Sequence, residues 1–177
     1  MTTLAPRLLA WFDVHGRHYF PWQRTRTPYS VWVSEIMLQQ TQVGTVIPFY
    51  DRFMQRFPTV AALAAAPLDD VLSVWAGLGY YARARNHWRA ARAVMAEHGG
   101  EVPKMFDALH ALPGIGRSTA GAVLAQAHGQ RWPILDGNVK RVLARYHAVA
   151  GWPGDPGVAD ELWRDAERHT PHARVAD

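Results

Sequence analysis

The 177-residue sequence contains no cysteine, which excludes disulfides, thiolate metal sites and cysteine nucleophiles from this chain. Nowhere do about 18 apolar residues run together, the length a membrane-spanning helix needs. The N-terminal apolar stretch Leu4 to Phe12 is interrupted by Pro6 and Arg7 and is followed by no small-residue cleavage pattern. A cytoplasmic protein without a membrane span is therefore expected. Acidic residues are missing from the whole of residues 71–96, where Arg83, Arg85, Arg89 and Arg92 sit among Tyr80, Tyr81 and Trp88. Such a stretch fits either a solvated basic helix face or a seat for a polyanion.

The apolar fraction is 49%, the charged fraction only 19%, and 8 Trp, 6 Tyr and 6 Phe are present, a composition that excludes disorder. The length suits one compact domain or two small lobes. Residues 1–150 carry 16 Lys or Arg against 9 Asp or Glu, whereas residues 151–177 carry 3 against 6. The basic charge thus belongs to the body of the chain. The nine histidines include the close pairs His15 and His18, and His169 and His172. No further ligands cluster near either pair, so no metal is assigned.

Apolar spacing is helical almost throughout. It predicts a first helix from Leu4 that stops near Gly16 and further helices at 29–40, 45–56, 59–65, 67–75, 81–98, 104–110, 117–128, 138–149 and 157–169, with a loop around Pro21 and Pro28. A start at Thr45 would leave Pro48 in a first helical turn, where proline is tolerated. Gly99 and Gly100 close the long helix. No strand and no internal repeat is predicted, and Gly151 to Gly157 is the one strong late break.

Three segments can carry chemistry. Leu112-Pro113-Gly114-Ile115-Gly116-Arg117-Ser118-Thr119-Ala120 lies between two predicted helices. Its glycines can turn the backbone tightly and expose N–H groups beside a helix N-terminus, which would seat a phosphate; an ordinary helix-helix turn explains them equally. It is neither a dinucleotide fingerprint nor a P-loop, because the third glycine and the Gly-Lys-Ser/Thr ending are missing. Glu35 shares a helix face with Val31, Trp32, Leu38 and Gln39. Burial there would raise its pKa toward neutrality and suit a proton donor, whereas a glutamate at the rim would pack its stem on Trp32 with its head in water. Asp136 is a natural N-cap for the following helix, as is Asn138, and becomes a second catalytic carboxylate only where it meets Glu35.

Together these segments resemble the MutY-type adenine DNA glycosylases of the helix-hairpin-helix, endonuclease III-like superfamily. The resemblance rests on Phe20-Pro21-Trp22, on Val33-Ser34-Glu35-Ile36-Met37-Leu38-Gln39-Gln40-Thr41-Gln42, and on Gly77-Leu78-Gly79-Tyr80-Tyr81-Ala82-Arg83-Ala84-Arg85-Asn86. It continues through Leu112 to Gly121 and Leu135-Asp136-Gly137-Asn138-Val139-Lys140-Arg141-Val142, nearly end to end. It implies an all-α fold: a six-helix barrel over about 23–132, with the helix-hairpin-helix at about 104–128. A second helical lobe would comprise 1–22 and 133–177.

The family removes adenine mispaired with 8-oxoguanine or guanine from double-stranded DNA by flipping it out and hydrolysing its N-glycosidic bond. By resemblance Glu35 protonates the adenine and then assists water, Asp136 stabilises the sugar cation, and Asn138 belongs to the same catalytic loop. Gln39, Gln40, Thr41 and Tyr80 fall where the family wedges side chains into the helix stack. Leu112, Gly114, Gly116, Arg117, Ser118 and Thr119 form the phosphate-binding hairpin, which can also hold a monovalent cation through its carbonyls, and Arg83 and Arg85 supply basic contacts. Ser118 stands where lyase relatives carry a Schiff-base lysine, which implies a monofunctional glycosylase.

The family continues into helices that bind a 4Fe-4S cluster through four cysteines, and into a domain that reads 8-oxoguanine. This chain has no such cysteines, and a truncated monomer with exposed apolar surface and low stability is expected. An endonuclease III-like glycosylase for another base and a non-catalytic DNA-binding module are the alternatives.

Overall fold

The computed structural model describes residues 4–177 and is all-helical, with no strand among the described residues. Its helices are α1 (Leu4–His15), α2 (Pro21–Arg24), α3 (Pro28–Leu38), α4 (Val43–Arg56), α5 (Val60–Ala65) and α6 (Leu68–Trp75). They continue with α7 (Tyr81–Glu97), α8 (Phe106–His110), α9 (Arg117–His128), α10 (Gly137–Tyr146) and α11 (Pro156–His169). Most of the predicted helices occur at their predicted places.

The differences have local causes. The predicted loop around Pro21 contains the single-turn α2, because Pro21 presets the first helical position and the Gln23 side chain accepts the Phe20 N–H at 3.0 Å. Helix α4 starts two residues early, so Pro48 lies inside it rather than in its first turn. Proline there removes the one N–H that would have bonded to the Gly44 carbonyl. Helix α3 stops at Leu38 and α10 at Tyr146, short of the predicted ends, and Gln40 and Ala148 just beyond them take positive φ values of 57° and 51°.

Helix α3 organises the larger core. Thr27 caps its start by accepting the Ser30 N–H at 3.1 Å, and Pro28 takes its first position. Buried side chains then occupy every side of it, including Val31, Trp32, Val33, Ile36 and Met37. Burying one such side chain contributes about 1.5–3 kcal/mol. Residue preferences for the helix amount to only about 0.7 kcal/mol or less each, so enclosure rather than propensity makes this helix. Helices α4, α7 and α9 enclose it, in a core cluster running from Phe20 to Leu124.

A smaller second cluster joins Leu135, Leu143, Leu162 and Ala166, with Leu4, Val158 and Trp163 packed against it. Polar links tie it to the rest: the Arg117 guanidinium stacks over Trp163 at 3.8 Å, and Arg131 donates to the Thr170 carbonyl at 3.1 Å. Arg174 reaches back to pair with Asp13 on α1 at 3.1 Å. Apolar surface lies open in this part, since Trp11 on α1 is 56% exposed and Trp152 after α10 is 69% exposed. Val142 and Tyr146 on α10 are also exposed.

His87 on α7 is sunk in the larger core, with its ring 4.5 Å from Trp32 and 5.8 Å from Phe53. Neither ring nitrogen has a protein hydrogen-bond partner among the described residues. Burial pushes its pKa down from 6.5 to about 3. The unfolded chain therefore takes up a proton that the folded chain refuses, and stability is lost as pH falls below about 6.5. Unfolding followed from pH 7 to pH 4 is expected to lose about 1.4 kcal/mol per pH unit through this group. His87→Leu should flatten that slope, and an unchanged slope would show that His87 is not its source.

Candidate active site

The end of α3 is half-buried beside a cleft, and its last carbonyls need donors. Arg83, from the first turn of α7, supplies them: it donates to the carbonyls of Ile36 at 3.1 Å, Met37 at 2.8 Å and Gln39, and to Thr41 Oγ1 at 3.0 Å. It also bonds the Gly79 carbonyl at 3.3 Å and lies over the Tyr80 ring at 5.1 Å. These bonds engage the guanidinium that was expected to serve as a basic contact for a polyanion. Half-buried, the guanidinium ties the 39–41 turn to the 79–80 turn. Arg85, one helical step on, is exposed and makes no protein hydrogen bond among the described residues.

The two tied turns carry unusual backbone. Gln40 and Tyr80 both lie in the left-handed region, at φ 57° and 50°, which non-glycine residues rarely adopt. Tyr80 is 59% exposed, and Gln40 is exposed beside it. Gln39 instead turns inward and donates to Thr119 Oγ1 at 3.3 Å.

The hairpin between α8 and α9 has one glycine that its geometry demands. Gly114 has φ +79°, and a Cβ there would stand 2.8 Å from the Asn86 Cβ. Gly116 does not share that role: its φ is −82°, and a Cβ would meet nothing within 4 Å. It is the N-cap of α9 without a side-chain cap, so the first N–H groups of that helix have no capping partner among the described residues. The Leu112 side chain is buried and offers only its backbone, whereas Arg117 is exposed.

Residues 129–136 are then laid along α9. Gly121 lets the Pro133 carbonyl come within 3.0 Å of where a Cβ would be, and the Ser118 hydroxyl accepts the Leu135 N–H at 3.0 Å. Asp136 follows at once. It caps α10 by accepting the Val139 N–H at 2.8 Å through Oδ1. The capping role read from the sequence is therefore real, and it coexists with a place in the cleft. Asn138 is exposed, and its Oδ1 accepts from Arg141 at 3.3 Å.

A cleft of about 980 Å³ collects these groups. Glu35, Gln39, Gln40 and Thr41 line it from the α3 end, Tyr80 and Arg83 from the α7 start, and Ser118 and Thr119 from the hairpin. Asp136 and Asn138 close it opposite. Of the residues singled out in the sequence, Arg85, Leu112, Gly114, Gly116 and Arg117 lie outside this lining. Glu35 also lines a smaller chamber of about 350 Å³ behind the cleft, together with Phe20, Trp22, Gln23, Arg26 and Gln126. Residues 175–177 border that chamber too, and the Arg26 guanidinium donates to the Ala176 carbonyl at 3.2 Å.

Glu35 is thus the wall between two spaces. Burial pushes its carboxyl up to about 7; a 2.8 Å hydrogen bond from Gln126 opposes the shift, and the nearby Asp136 charge adds to it. At neutral pH the group can both give and take a proton. Two carboxyl groups in different environments on one cleft can cleave a glycosidic bond, one as acid and one as stabiliser of a sugar cation. Gln126 was not singled out in the sequence, although a long polar side chain directly after the buried run Ala120–Ala125 was its available signal.

The described residues contain no group of three or more His, Asp or Glu arranged to hold a metal. His169 bonds His147 at 2.8 Å, and His18 bonds the Phe12 carbonyl at 3.2 Å. A 4Fe-4S cluster needs thiolate ligands, and these 177 residues contain none, so this chain does not fit that group.

Residues 33–168 match the HhH-GPD superfamily base excision DNA repair protein family. The chain belongs to this superfamily. An adenine DNA glycosylase of Buchnera aphidicola (subspecies Acyrthosiphon pisum) is 46% identical over 164 residues, covering 93% of this chain and 47% of the relative. The human adenine DNA glycosylase is 44% identical over 186 residues, covering all of this chain and 34% of its own length. The chain therefore spans about half the length of the bacterial relative and a third of the human one. A thermostable thymine-DNA glycosylase superposes with a TM-score of 0.87 at 29% identity, over 97% of this chain and 78% of that one. A trapped endonuclease III–DNA covalent intermediate shares the fold, with a TM-score of 0.80 at 22% identity over 97% and 78% of the two chains.

Replacing Arg83 by Gln should leave the half-buried carbonyls at the end of α3 unpaired and cost about 1 kcal/mol in urea unfolding. An unchanged unfolding midpoint would return Arg83 to the surface role first expected of it.

Proposed function

We propose that this chain is the catalytic part of a monofunctional adenine DNA glycosylase, which hydrolyses the N-glycosidic bond of adenine mispaired with 8-oxoguanine or guanine in duplex DNA. The observation that carries this reading is Glu35, a carboxyl held near pKa 7 on a cleft that it shares with Asp136. Its protonated form donates to the departing base, and the resulting carboxylate then accepts a proton from the attacking water. Asp136, held by its capping bond, faces the sugar and stabilises the positive charge that develops there. Ser118 offers no amine for a Schiff base, and its hydroxyl is occupied by the Leu135 N–H, so hydrolysis by water follows. The adenine specificity draws on the 46% and 44% identical relatives named as adenine DNA glycosylases.

The remaining surfaces take the roles expected of them in the same reading. Gln40 and Tyr80, exposed on strained turns that Arg83 ties together, wedge into the base stack and help offset an unstacking cost of a few kcal/mol. The open N-terminus of α9 and the exposed Arg85 and Arg117 hold phosphates. The Pro113 and Gly114 carbonyls, which accept no protein hydrogen bond among the described residues, fit a weakly held monovalent cation. The separate apolar clusters support a division near residue 133 between a barrel domain and a second lobe.

Single-turnover release of adenine from an 8-oxoguanine:adenine duplex tests the reading. Glu35→Gln nearly preserves shape but removes the proton, so release should fall about 10²–10⁴-fold while duplex binding persists. The wild-type rate should decline as pH rises through about 7, where Glu35 loses its proton. Equal release by the variant would take Glu35 out of the mechanism, and binding without any release by the wild type would favour the non-catalytic module. A thymine mispair in place of adenine tests the other base that the 29% identical neighbour suggests.

Duplex affinity should fall steeply between 50 and 200 mM salt, because phosphate contacts release counterions. A flat salt dependence would count against the basic surface as a DNA seat.

A further inference from the structure

The Glu35 carboxyl receives a single side-chain hydrogen bond among the described residues, from Gln126 Nε2 to Oε1 at 2.8 Å. Gln126 comes from α9, directly after a run in which every residue from Ala120 to Ala125 is buried. A long amide at that point costs desolvation unless it is used. It lines the chamber behind Glu35 and not the cleft in front, whereas Asp136 lines the cleft and not the chamber. The two groups therefore border different spaces beside Glu35.

We infer that Gln126 is a positioning residue for Glu35: its amide holds Oε1 from the chamber side and leaves Oε2 as the oxygen that carries the transferable proton. This rests on the proposed role of Glu35 as the acid. The physical reason lies in what each oxygen can accept. An ionised carboxylate only accepts, so the amide N–H must face it; after protonation on Oε2, Oε1 remains a carbonyl-like acceptor and the bond survives. Protonation on Oε1 would weaken that acceptor and the bond with it. One hydrogen bond thus persists through both halves of the acid-base cycle only when the proton resides on Oε2. Because the bond is stronger to the carboxylate than to the neutral acid, it also keeps burial from holding the proton too tightly to be given up. The Gln126 carbonyl oxygen has no protein partner among the described residues, which leaves it free on the chamber side.

The test is a ¹³C NMR titration of the Glu35 carboxyl, assigned by its disappearance in Glu35→Gln, in the wild type and in Gln126→Leu and Gln126→Asn. Leu removes the amide, and Asn keeps an amide but withdraws it by one methylene. Both midpoints should move upward by about one pH unit relative to the wild type. The alkaline limb of single-turnover adenine release should follow by the same amount, with duplex affinity unchanged. A midpoint unmoved in both variants, or moved by Leu alone, overturns the inference, since the second result would make Gln126 only a polar wall. Displaced midpoints in a chain that releases no adenine would support the positioning while overturning the proposed reaction, so the two failures are told apart.

Discussion

A helix that is apolar on all sides must be surrounded, and the carbonyls left over at its end must find partners. Helix α3 imposes both demands. Its enclosure by α4, α7 and α9 builds the larger core, and its C-terminal end brings the Arg83 guanidinium beneath the 39–41 turn. The cleft then follows from that end. Gln39 to Thr41 continue from α3, Gly79 and Tyr80 lead into α7, and one arginine bonds both segments. Two turns with left-handed residues persist because a multivalent donor holds their backbones.

The chemistry of Glu35 has the same origin. A carboxyl in the last turn of a buried helix loses water on most sides, and burial dominates its shift. Two further groups tune it from elements distant in sequence, Gln126 on α9 and Asp136 before α10. Asp136 reaches its place through α9 as well, because Gly121 and Ser118 dock the preceding segment against that helix. Helix α9 thus serves three functions at once: an open N-terminus, a docking face for the Asp136 segment, and the amide that meets Glu35.

The second cluster is bound to the first largely through arginines. Arg117 on Trp163, Arg131 on the end of α11 and Arg26 on the Ala176 carbonyl each cross between the parts. Exposed charged contacts of this kind are individually worth little, about 0–1 kcal/mol. Against them stand the exposed Trp11, Val142, Tyr146 and Trp152, apolar groups that the described residues leave open to solvent.

Sequence by itself determined the helices, because a 3.6-residue apolar period survives without any knowledge of neighbours, and it located the hairpin and the carboxylates Glu35 and Asp136 through their motifs. It missed α2, since four residues carry no period, and the inner position of Pro48, since a helix start is set by capping bonds rather than by apolar spacing. Arg83 shows the deeper limit. In a run of basic residues it has the signature of a surface contact, and only the approach of α7 to the end of α3 turns it into an internal clamp. Gln126, likewise, is merely a polar residue on a helix until Glu35 is within 2.8 Å. Local pattern determines what a segment becomes. Which donor meets which acceptor across 91 or 47 residues of chain was decided by the tertiary structure alone, because burial leaves a polar group no partner except the one that packing delivers.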